Sequence, residues 1–567
     1  MTVAPSSSFI TSISLLDTLV RAGMRHLVLS PGSRSAPLAY AVASLAEAGI
    51  LEAHVRIDER SAAFTALGLA RASGQPVGIV TTSGTGVGET LPALMETYHS
   101  GVPLALLSAD RPDRLQGTGA NQTTRQAHIA PAHTRATVTL ADYSADPADP
   151  QTSALNRALA VLTGRNENNW DQPGPTPRGP VQINLALDTP LTPNEADQTI
   201  LKRWAQALAA EPPQAPAPLP PADPTADSWL RSAELPAESY RTVVVAGDGA
   251  GPLAQGFAQK LGLPLLAEPS SNARFSPVAI PAYRQVLAGE LGQQIERVVV
   301  FGHPTLSRPI AALLADPARQ RALYTPVPAP WYEPGALDLR EVSNLADLAT
   351  FAGTGQGATT EDGQDWTASW STAGQGIAQH LNQQVAAYRA GTPTSNAKPG
   401  ASSADRTAGY ALAESTWRAC LDDDTVLMVG SSNLIRDLDL IAPSLPASPL
   451  VFANRGLAGI DGTIATASGI SLALNRPVRV LLGDLTFLHD TGSLNIGPTE
   501  RKPDLEVLVY DDRGGGIFST LEHGQLGQTE QFSAAVTRFF TTPHTADLAA
   551  LAQAWGDNGI RVQVITP

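Results

Sequence analysis

Short apolar runs alternate with helix-length amphipathic stretches in the first part of the chain. Runs of this length, bounded by glycine and proline, are typical of strands that are buried on both faces of a parallel sheet. The pattern therefore predicts a first α/β domain over residues 1–195. Its strand candidates are HLVLS at 26–30, VGIVTT at 77–82, PLALLSAD at 103–110 and VQINLAL at 181–187.

The same alternation recurs twice further along the chain. The second part contains TVVVAGDGAG at 242–251, LPLLAE at 263–268 and RVVVFGHPT at 297–305. The third part contains TVLMVGSS at 425–432, PLVFANRG at 449–456, VRVLLGDL at 478–485 and LEVLVYDD at 505–512. Strands that alternate with helices in this way build parallel sheets covered by helices on both faces. The fold class we predict is α/β, with three doubly wound parallel-sheet domains.

Tracts of biased composition set the predicted borders of these domains. The proline-rich stretch 211–228 indicates a stiff linker or wrapping segment at the entry to a central domain, 196–352. Residues 353–408 are predicted to form a Gly/Ser/Thr-rich linker with a helix, and 409–567 the third domain. The chain stops at IRVQVITP, just after a predicted strand, which leaves open a truncated domain or a locally atypical end.

Composition and charge narrow the function classes. Hydrophobic residues make up 43% of the chain and charged residues 16%, as in ordinary folded proteins. The 38 basic and 53 acidic residues give a formal charge of −15, which argues against a nucleic-acid partner. Cys420 is the single cysteine, so no internal disulfide can form. We find neither a signal peptide nor a membrane span in the sequence, and we expect a cytoplasmic protein.

Two strand ends in the third domain carry the clearest candidate chemistry. Asp484 follows the apolar strand VRVLL, and Asp512 follows the strand LEVLVY. Ligands bind at the carboxyl edge of parallel sheets, where these carboxylates can meet. With a backbone carbonyl from Gly514 they offer the oxygen ligands that Mg²⁺ prefers, and the metal could fasten a diphosphate. Read alone, the residues leave open two acidic turns on the surface.

Glu59 is the candidate acid of the first domain. It precedes an amphipathic helix in IDERSAAFTALGLARASG, 57–74. A buried glutamate between two domains can donate a proton, whereas a plain helix-start acid only faces the helix dipole. The glycine clusters at 83–90 and 247–251 match neither the dinucleotide nor the P-loop pattern, so they predict tight strand-to-helix turns.

The order of several longer motifs resembles one family. The motifs that carry the resemblance span nearly the whole chain: LVLSPGSRSAPLA (27–39), IDER (57–60), TTSGTG (81–86), SADRP (108–112), GANQTTRQ (119–126), SSNLIRD (431–437), ANRGLAGIDGT (453–463), GDLTFLHD (483–490) and GGGIFS (514–519). Together they look like the 2-succinyl-5-enolpyruvyl-6-hydroxy-3-cyclohexene-1-carboxylate synthases of menaquinone biosynthesis, the MenD family. Leu485 and Asp512 depart from the generic GDG…N cofactor signature, but GDLTFLHD is similar to the variant of this family.

The resemblance implies thiamine diphosphate as cofactor, held by Mg²⁺ or Mn²⁺. Asp484, Asp512 and Gly514 would ligate the metal, and Glu59 would hydrogen-bond the aminopyrimidine ring as the catalytic acid. Ile460 would lie under the cofactor and bend it. The other residues expected to line the cofactor site are Gly483, Leu485, Ile517 and Phe518.

The family reaction decarboxylates 2-oxoglutarate and adds the succinyl semialdehyde carbanion to isochorismate. Both substrates are dicarboxylates, and arginine binds carboxylates bidentately without losing its charge. The resemblance places Ser432, Arg436 and Arg455 at the succinyl side. It implies that isochorismate is bound by Ser33, Arg34, Asn121, Gln122 and Arg308, with Arg111 as a further substrate arginine.

The resemblance also implies a homodimer or homotetramer, with the active site between the first domain of one subunit and the third of another. Two alternatives stay open. Another 2-oxoacid decarboxylase or an acetolactate-synthase-like enzyme would share the three-domain plan, but the arginine set argues against it. A regulatory protein without catalysis would not need Glu59, Asp484 and Asp512.

Overall fold

The computed structural model describes residues 4–391, 406–443 and 447–567. Its helices and strands form three successive units, each built on a parallel sheet. Part of the predicted Gly/Ser/Thr-rich linker, residues 392–405, lies outside the described residues. The exact domain borders stay predictions.

The first unit begins with a long amphipathic helix and contains the four strands expected from the apolar runs. Its strands are β1 (His26–Leu29), β2 (Glu52–Val55), β3 (Val77–Thr82), β4 (Leu104–Asp110), β5 (Ala136–Ala141), β6 (Arg165–Asn166), β7 (Asn169–Pro173) and β8 (Val181–Ala186). Its helices are α1 (Ser7–Arg21), α2 (Ala36–Glu47), α3 (Glu59–Ser73), α4 (Gly84–Glu89), α5 (Leu91–Ser100), α6 (Pro150–Thr163) and α7 (Glu195–Ala210).

The sheet of this unit has the order β2-β1-β3-β4-β8-β5, and each neighbouring pair is parallel. Strands β6 and β7 form a separate antiparallel hairpin. Every residue of β3 and β4 is buried, as the unbroken apolar runs predict for central strands.

The second unit follows the proline-rich stretch. Its strands are β9 (Thr242–Ala246), β10 (Leu265–Ala267), β11 (Arg297–Phe301), β12 (Gln320–Tyr324) and β13 (Arg340–Val342), in the parallel order β10-β9-β11-β12-β13. Its helices are α8 (Ala226–Ser232), α9 (Gly251–Leu261), α10 (Tyr283–Leu287), α11 (Glu290–Gln293), α12 (Arg308–Ala315), α13 (Leu345–Ala352) and α14 (Trp366–Arg389).

The proline-rich stretch wraps against the first unit before α8 begins at its end. The guanidinium of Arg25 donates to the carbonyl of Pro213 over 3.0 Å, and that of Arg165 donates to the carbonyl of Ala217 over 2.5 Å. Extended backbone without neighbouring strands leaves its carbonyls free for such side-chain donors. The stretch therefore contacts the first unit through two of its carbonyl groups, and its last residues begin α8.

The third unit contains the four strands predicted from its apolar runs and, near the carboxyl end, the strand predicted in IRVQVITP. Its strands are β14 (Val426–Val429), β15 (Val451–Phe452), β16 (Val478–Gly483), β17 (Leu505–Tyr510) and β18 (Ile560–Ile565), in the parallel order β15-β14-β16-β17-β18. Its helices are α15 (Thr407–Asp422), α16 (Asn433–Ile441), α17 (Thr463–Leu474), α18 (Asp484–Asp490), α19 (Glu522–Leu526), α20 (Ser533–Val536) and α21 (Leu548–Gln553).

Helices α3 and α17 join the first and third units through glycines. A Cβ atom on Gly68 would lie 2.0 Å from the carbonyl oxygen of Thr466, and one on Gly469 would lie 2.1 Å from that of Thr65. Only glycine allows two helix backbones to approach this closely. The contact fixes Glu59, at the start of α3, relative to the third sheet.

None of the helices within residues 4–391, 406–443 and 447–567 combines the length and apolar character that crossing a bilayer requires.

Candidate active site

A cavity of about 350 Å³ opens at the carboxyl edge of the third sheet. The strand order reverses between β14 and β16, and such switch points are where open α/β sheets bind ligands. The loops after β14, β15, β16 and β17 converge there. The residues predicted from the sequence that line the cavity are Ser432, Arg436, Arg455, Ile460, Gly483, Asp484, Leu485, Asp512, Gly514, Ile517 and Phe518.

Asp484 is held rigidly where β16 passes into α18. Its Oδ1 accepts the backbone N–H of Leu485 over 2.6 Å, and its Oδ2 accepts that of Gly514 over 2.7 Å. Nε2 of His544 lies 2.9 Å from Oδ2. Burial raises the pKa of Asp484, while these hydrogen bonds act in the opposite direction.

Two further carboxylates stand at the end of β17. Burial and the neighbouring charge of Asp484 raise the pKa of Asp512 to about 6. Nη1 of Arg406 approaches Oδ2 of Asp512 to 3.6 Å. Asp511 faces His544, with 3.7 Å between Oδ1 and Nε2.

Carboxylate oxygens of this kind are the ligands that a divalent cation such as Mg²⁺ prefers. Among the described residues, ligand atoms of Asp484, Asp511 and His544 lie within 4.8 Å of one another. From the sequence we predicted that Asp512 and the carbonyl of Gly514, together with Asp484, would be the metal ligands. Both of those residues also line the cavity, so the choice of ligands beside Asp484 stays a prediction.

Two arginines also line the cavity, Arg455 buried and Arg436 partly buried. Nη1 of Arg436 donates to the carbonyl of Ser432 over 2.6 Å, one helical turn earlier. Nε of Arg455 donates to Oγ1 of Thr305 over 2.9 Å, and the residue is only 2% exposed. Burial and then the charge of Arg455 lower the pKa of Arg436. Two like charges brought together in a cavity favour binding of an anion.

A second group of predicted residues lies at the carboxyl edge of the first sheet. Glu59 begins α3 directly after the N-cap residue Asp58, whose carboxylate accepts two backbone N–H groups. Burial raises the pKa of Glu59, and the Thr81 hydroxyl hydrogen-bonds it. A Cβ atom on Gly86 would lie 2.7 Å from Oε1 of Glu59, so glycine there leaves room for the carboxyl group.

Arg34 and Arg111 belong to this second group. Nη1 of Arg34 donates to the carbonyl of Leu187 over 2.8 Å, and Nη1 of Arg111 donates to that of Gln122 over 3.4 Å. Burial lowers the pKa of Arg34, and the nearby charge of Arg111 lowers it further. Ser33, Asn121 and Gln122 are exposed around them. Two neighbouring positive charges, those of Arg34 and Arg111, favour the binding of an anion at this second place.

The chain is similar in sequence to thiamine pyrophosphate enzymes and to one synthase family among them. The family model for the N-terminal TPP binding domain of thiamine pyrophosphate enzymes matches residues 11–129. A 2-succinyl-5-enolpyruvyl-6-hydroxy-3-cyclohexene-1-carboxylate synthase from Arthrobacter sp. (strain FB24) is 45% identical over 551 residues, covering 95% of this chain and 83% of its own. The synthase from Renibacterium salmoninarum is 44% identical over 546 residues, covering 96% and 88%.

The chain belongs to this synthase family. Its fold is that of thiamine diphosphate enzymes, as predicted. A benzoylformate decarboxylase from Polynucleobacter necessarius superimposes with a TM-score of 0.56 over 98% of each chain, at 15% identity. That likeness supports the architecture alone.

One predicted substrate residue of this family member lies apart from both groups. Arg308, at the start of α12, forms an ion pair with Glu522 in which Nη1 and Oε1 are 2.6 Å apart. Both side chains are 70% exposed, and Arg308 does not line the cavity. Its role toward isochorismate stays a prediction. Thr305, three residues earlier in the same turn, does line the cavity.

Sequence reasoning missed several polar residues at the site, including three that contact its predicted charged side chains. These three are Thr305, which supports Arg455; Arg406, which pairs with Asp437 and approaches Asp512; and His544, which contacts Asp484. Arg406 follows a Gly/Ser/Thr-rich tract that indicates a linker. His544 stands 60 residues after its partner, so no local spacing connects them.

Proposed function

We propose that the protein is a thiamine-diphosphate- and Mg²⁺-dependent synthase of menaquinone biosynthesis. It decarboxylates 2-oxoglutarate, adds the remaining four-carbon unit to isochorismate, and releases 2-succinyl-5-enolpyruvyl-6-hydroxy-3-cyclohexene-1-carboxylate. The observation that carries the proposal is the meeting of Asp484 with Arg436 and Arg455 in one cavity at the switch point of the third sheet.

The acidic wall of the cavity, formed by Asp484 and Asp512, is suited to binding a metal-bound diphosphate. Asp484 is buried and Asp512 partly buried, and the charge of Asp484 helps to raise the pKa of Asp512, an effect that a divalent cation between them would relieve. Mg²⁺ takes one or two carboxylates and shares the phosphates of its ligand. Asp484, Asp512 and the carbonyl of Gly514 would hold the ion, and Mn²⁺ could replace it.

The basic wall of the cavity, formed by Arg436 and Arg455, is suited to binding the dicarboxylate 2-oxoglutarate. Bound thiamine diphosphate supplies the carbanion chemistry of the decarboxylation. Arg436 and Arg455 hold the distal carboxylate of 2-oxoglutarate, and their hydrogen bonds to Ser432 and Thr305 fix both guanidinium groups beforehand. Ile460, Leu485, Ile517 and Phe518 line the same cavity with apolar side chains that would exclude water from the bound reactants.

Completion of the site requires a second copy of the chain. Glu59, Arg34 and Arg111 do not line the cavity of their own third unit. Ile57, two residues before Glu59, is 70% exposed, and Leu457, two residues after Arg455, is 48% exposed. Exposed apolar side chains beside both halves favour an interface that brings them together. A homodimer is the smallest complete unit, and a homotetramer is compatible with it.

In this dimer the first sheet of the partner subunit would supply the proton chemistry and the acceptor site. Glu59, partly buried and with its pKa raised by burial, would hydrogen-bond the aminopyrimidine ring of the cofactor and hold the proton that this chemistry needs. Arg34 and Arg111, with Ser33, Asn121 and Gln122 around them, bind the carboxylates of isochorismate. We also propose a cytoplasmic location, because the single cysteine, Cys420, is free and buried.

A comparison of two donor substrates tests the activity. The purified protein is given thiamine diphosphate, Mg²⁺ and isochorismate, and kcat/KM is measured with 2-oxoglutarate and with pyruvate. Pyruvate leaves both arginines unpaired, which costs on the order of 2–5 kcal/mol, so we expect roughly thirtyfold to several thousandfold discrimination. Equal kcat/KM for the two donors would contradict the proposal and favour an acetolactate-type enzyme.

A further inference from the structure

Two histidines and a glutamate cluster on the edge of the first sheet, away from the cavity of the third unit. His26 on β1 and Glu52 on β2 are direct neighbours in the parallel register. His54 lies two residues beyond Glu52, and side chains two residues apart point to the same face of a strand. The fold therefore presents all three side chains on one face.

The potential ligand atoms of this cluster are close together. Nδ1 of His26 is 3.4 Å from Nε2 of His54 and 3.8 Å from Oε2 of Glu52, and Nε2 of His54 is 4.0 Å from Oε1 of Glu52. Tetrahedral zinc with bonds of about 2.0–2.1 Å separates its ligand atoms by about 3.3 Å. Small side-chain rotations would bring the three groups to that spacing.

The three side chains of the cluster differ in how far they are exposed to solvent. The side chain of His54 is 1% exposed, that of His26 is 16% exposed and that of Glu52 is 35% exposed. A neutral imidazole keeps a lone pair on one ring nitrogen, which is the form that binds a metal. The exposed side leaves space for water as a fourth ligand, the usual arrangement of an open zinc site.

A charged neighbour orients the glutamate. Nη1 of Arg501 lies 3.1 Å from each carboxylate oxygen of Glu52, and its Nη2 donates to Oδ1 of Asn475 over 2.7 Å. Metal-binding carboxylates are commonly hydrogen-bonded by such outer partners, and a carboxylate has enough lone pairs for both. Arg56 and Glu500 are the other charged groups close to the cluster.

We infer that His26, Glu52 and His54 form a site for a divalent transition metal of the zinc type. Two imidazoles and one carboxylate favour such a metal over Mg²⁺, which prefers an all-oxygen shell. The site would tie β1 to β2 and, through Arg501, to the third unit. It uses none of the residues of the proposed active site, so its test is separate from that of the activity.

Zinc binding by the full-length protein tests this inference. The protein is saturated with Mg²⁺ and thiamine diphosphate and titrated with Zn²⁺ in a calorimeter, and the titration is repeated with Asp484→Ala, which lacks the other metal site. We expect one zinc per chain in both proteins. His26→Gln and Glu52→Gln should each weaken this binding at least about tenfold, as the loss of one of three ligands implies. His128→Gln, an exposed histidine of the same unit, is the matched control.

Two further readouts separate a metal site from a hydrogen bond between the imidazoles. Co²⁺ in the site should give visible d–d absorption that His26→Gln abolishes, and Zn²⁺ should raise the melting temperature of the wild type but not of Glu52→Gln. Circular dichroism checks that each variant is folded. Absence of zinc uptake by the wild type, or uptake that is unchanged in both His26→Gln and Glu52→Gln, overturns the inference.

Discussion

Oδ2 of Asp484 accepts a hydrogen bond from the backbone N–H of Gly514 over 2.7 Å. This bond ties the turn after β16 to the turn after β17, which are separated by 30 residues in the chain. It places an acidic side chain at the floor of the cavity and holds it there before any ligand arrives. Preorganisation of this kind reduces the free energy that ligand binding must spend on ordering the site.

Asp484→Ala should abolish Mg²⁺-dependent retention of thiamine diphosphate, because it removes the best-positioned carboxylate of the proposed metal site. Calorimetric titration of the cofactor with Mg²⁺ present measures this. Asp504→Ala, which removes an exposed carboxylate of the same unit, should bind the cofactor normally. Undiminished affinity in a folded Asp484→Ala protein would remove the metal site from the proposal.

Glu59→Gln should retain the cofactor and lose turnover by roughly a hundredfold or more, the usual scale of acid–base assistance. The amide keeps the size of the side chain and one hydrogen bond but has no acidic proton. Titration of the cofactor and steady-state rates, measured on the same preparation, separate the two effects. Glu47→Gln, on the exposed face of α2, serves as the control. Near-normal turnover would show that Glu59 has another role.

Mixing two inactive variants should restore activity if the site lies between chains. In a hybrid dimer of Glu59→Gln and Asp484→Ala chains, one of the two sites contains wild-type Glu59 and wild-type Asp484. Rates are measured after the variants are unfolded and refolded together, with each variant refolded alone as the control. A site within one chain predicts no recovery, and that outcome would contradict the proposed dimer.

Arg455→Ala should reduce kcat/KM for 2-oxoglutarate far more than for pyruvate. The truncation removes a buried partner of the distal carboxylate, which only 2-oxoglutarate carries, and such losses cost about 2–5 kcal/mol. Steady-state rates with both donors give the ratio for the variant and the wild type. Arg561→Ala, an exposed arginine of the same unit, should leave the ratio unchanged. An equal loss for both donors would place Arg455 elsewhere in the mechanism.

Glu268 should make the stability of the second unit depend on pH. Its carboxyl group is fully buried after β10, where Oε1 accepts the backbone N–H groups of Thr305 and Leu306, and burial raises its pKa to about 8. A group with a raised pKa stabilises the folded state below its unfolded value, and this contribution is lost as pH rises to the folded value. The window here runs from about pH 4.5 to 8.

The measurement compares urea denaturation of the wild type and Glu268→Gln at pH 5, 6.5 and 8. Relative to the variant, the wild type should lose up to about 1.4 kcal/mol of unfolding free energy per pH unit within the window. Glu234→Gln, an exposed residue of the same unit, should follow the wild type. Parallel curves for the wild type and Glu268→Gln would show that Glu268 is not protonated in the folded protein.

The sequence by itself determined the strands and the residues that follow them. Buried parallel strands appear in the sequence as unbroken apolar runs, and residues after a strand meet at the carboxyl edge of its sheet, so Asp484 and Asp512 could be expected close together. The place of Arg455 followed only from the resemblance to the family. The motifs also identified the family, which the relatives confirmed.

Only the tertiary structure shows which of these residues lie in the same group and which residues each of them contacts. It separates Glu59 and Arg111 from the cavity that holds Asp484 and pairs Arg308 with Glu522 on the surface. It brings Arg406 and His544 to the acidic wall from distant parts of the chain. Local periodicity reports only which face of an element is buried. Contacts between residues 60 or more positions apart depend on how whole units pack against each other. The close approach of α3 and α17 at Gly68 and Gly469 is one example, and no local sequence pattern predicts such packing.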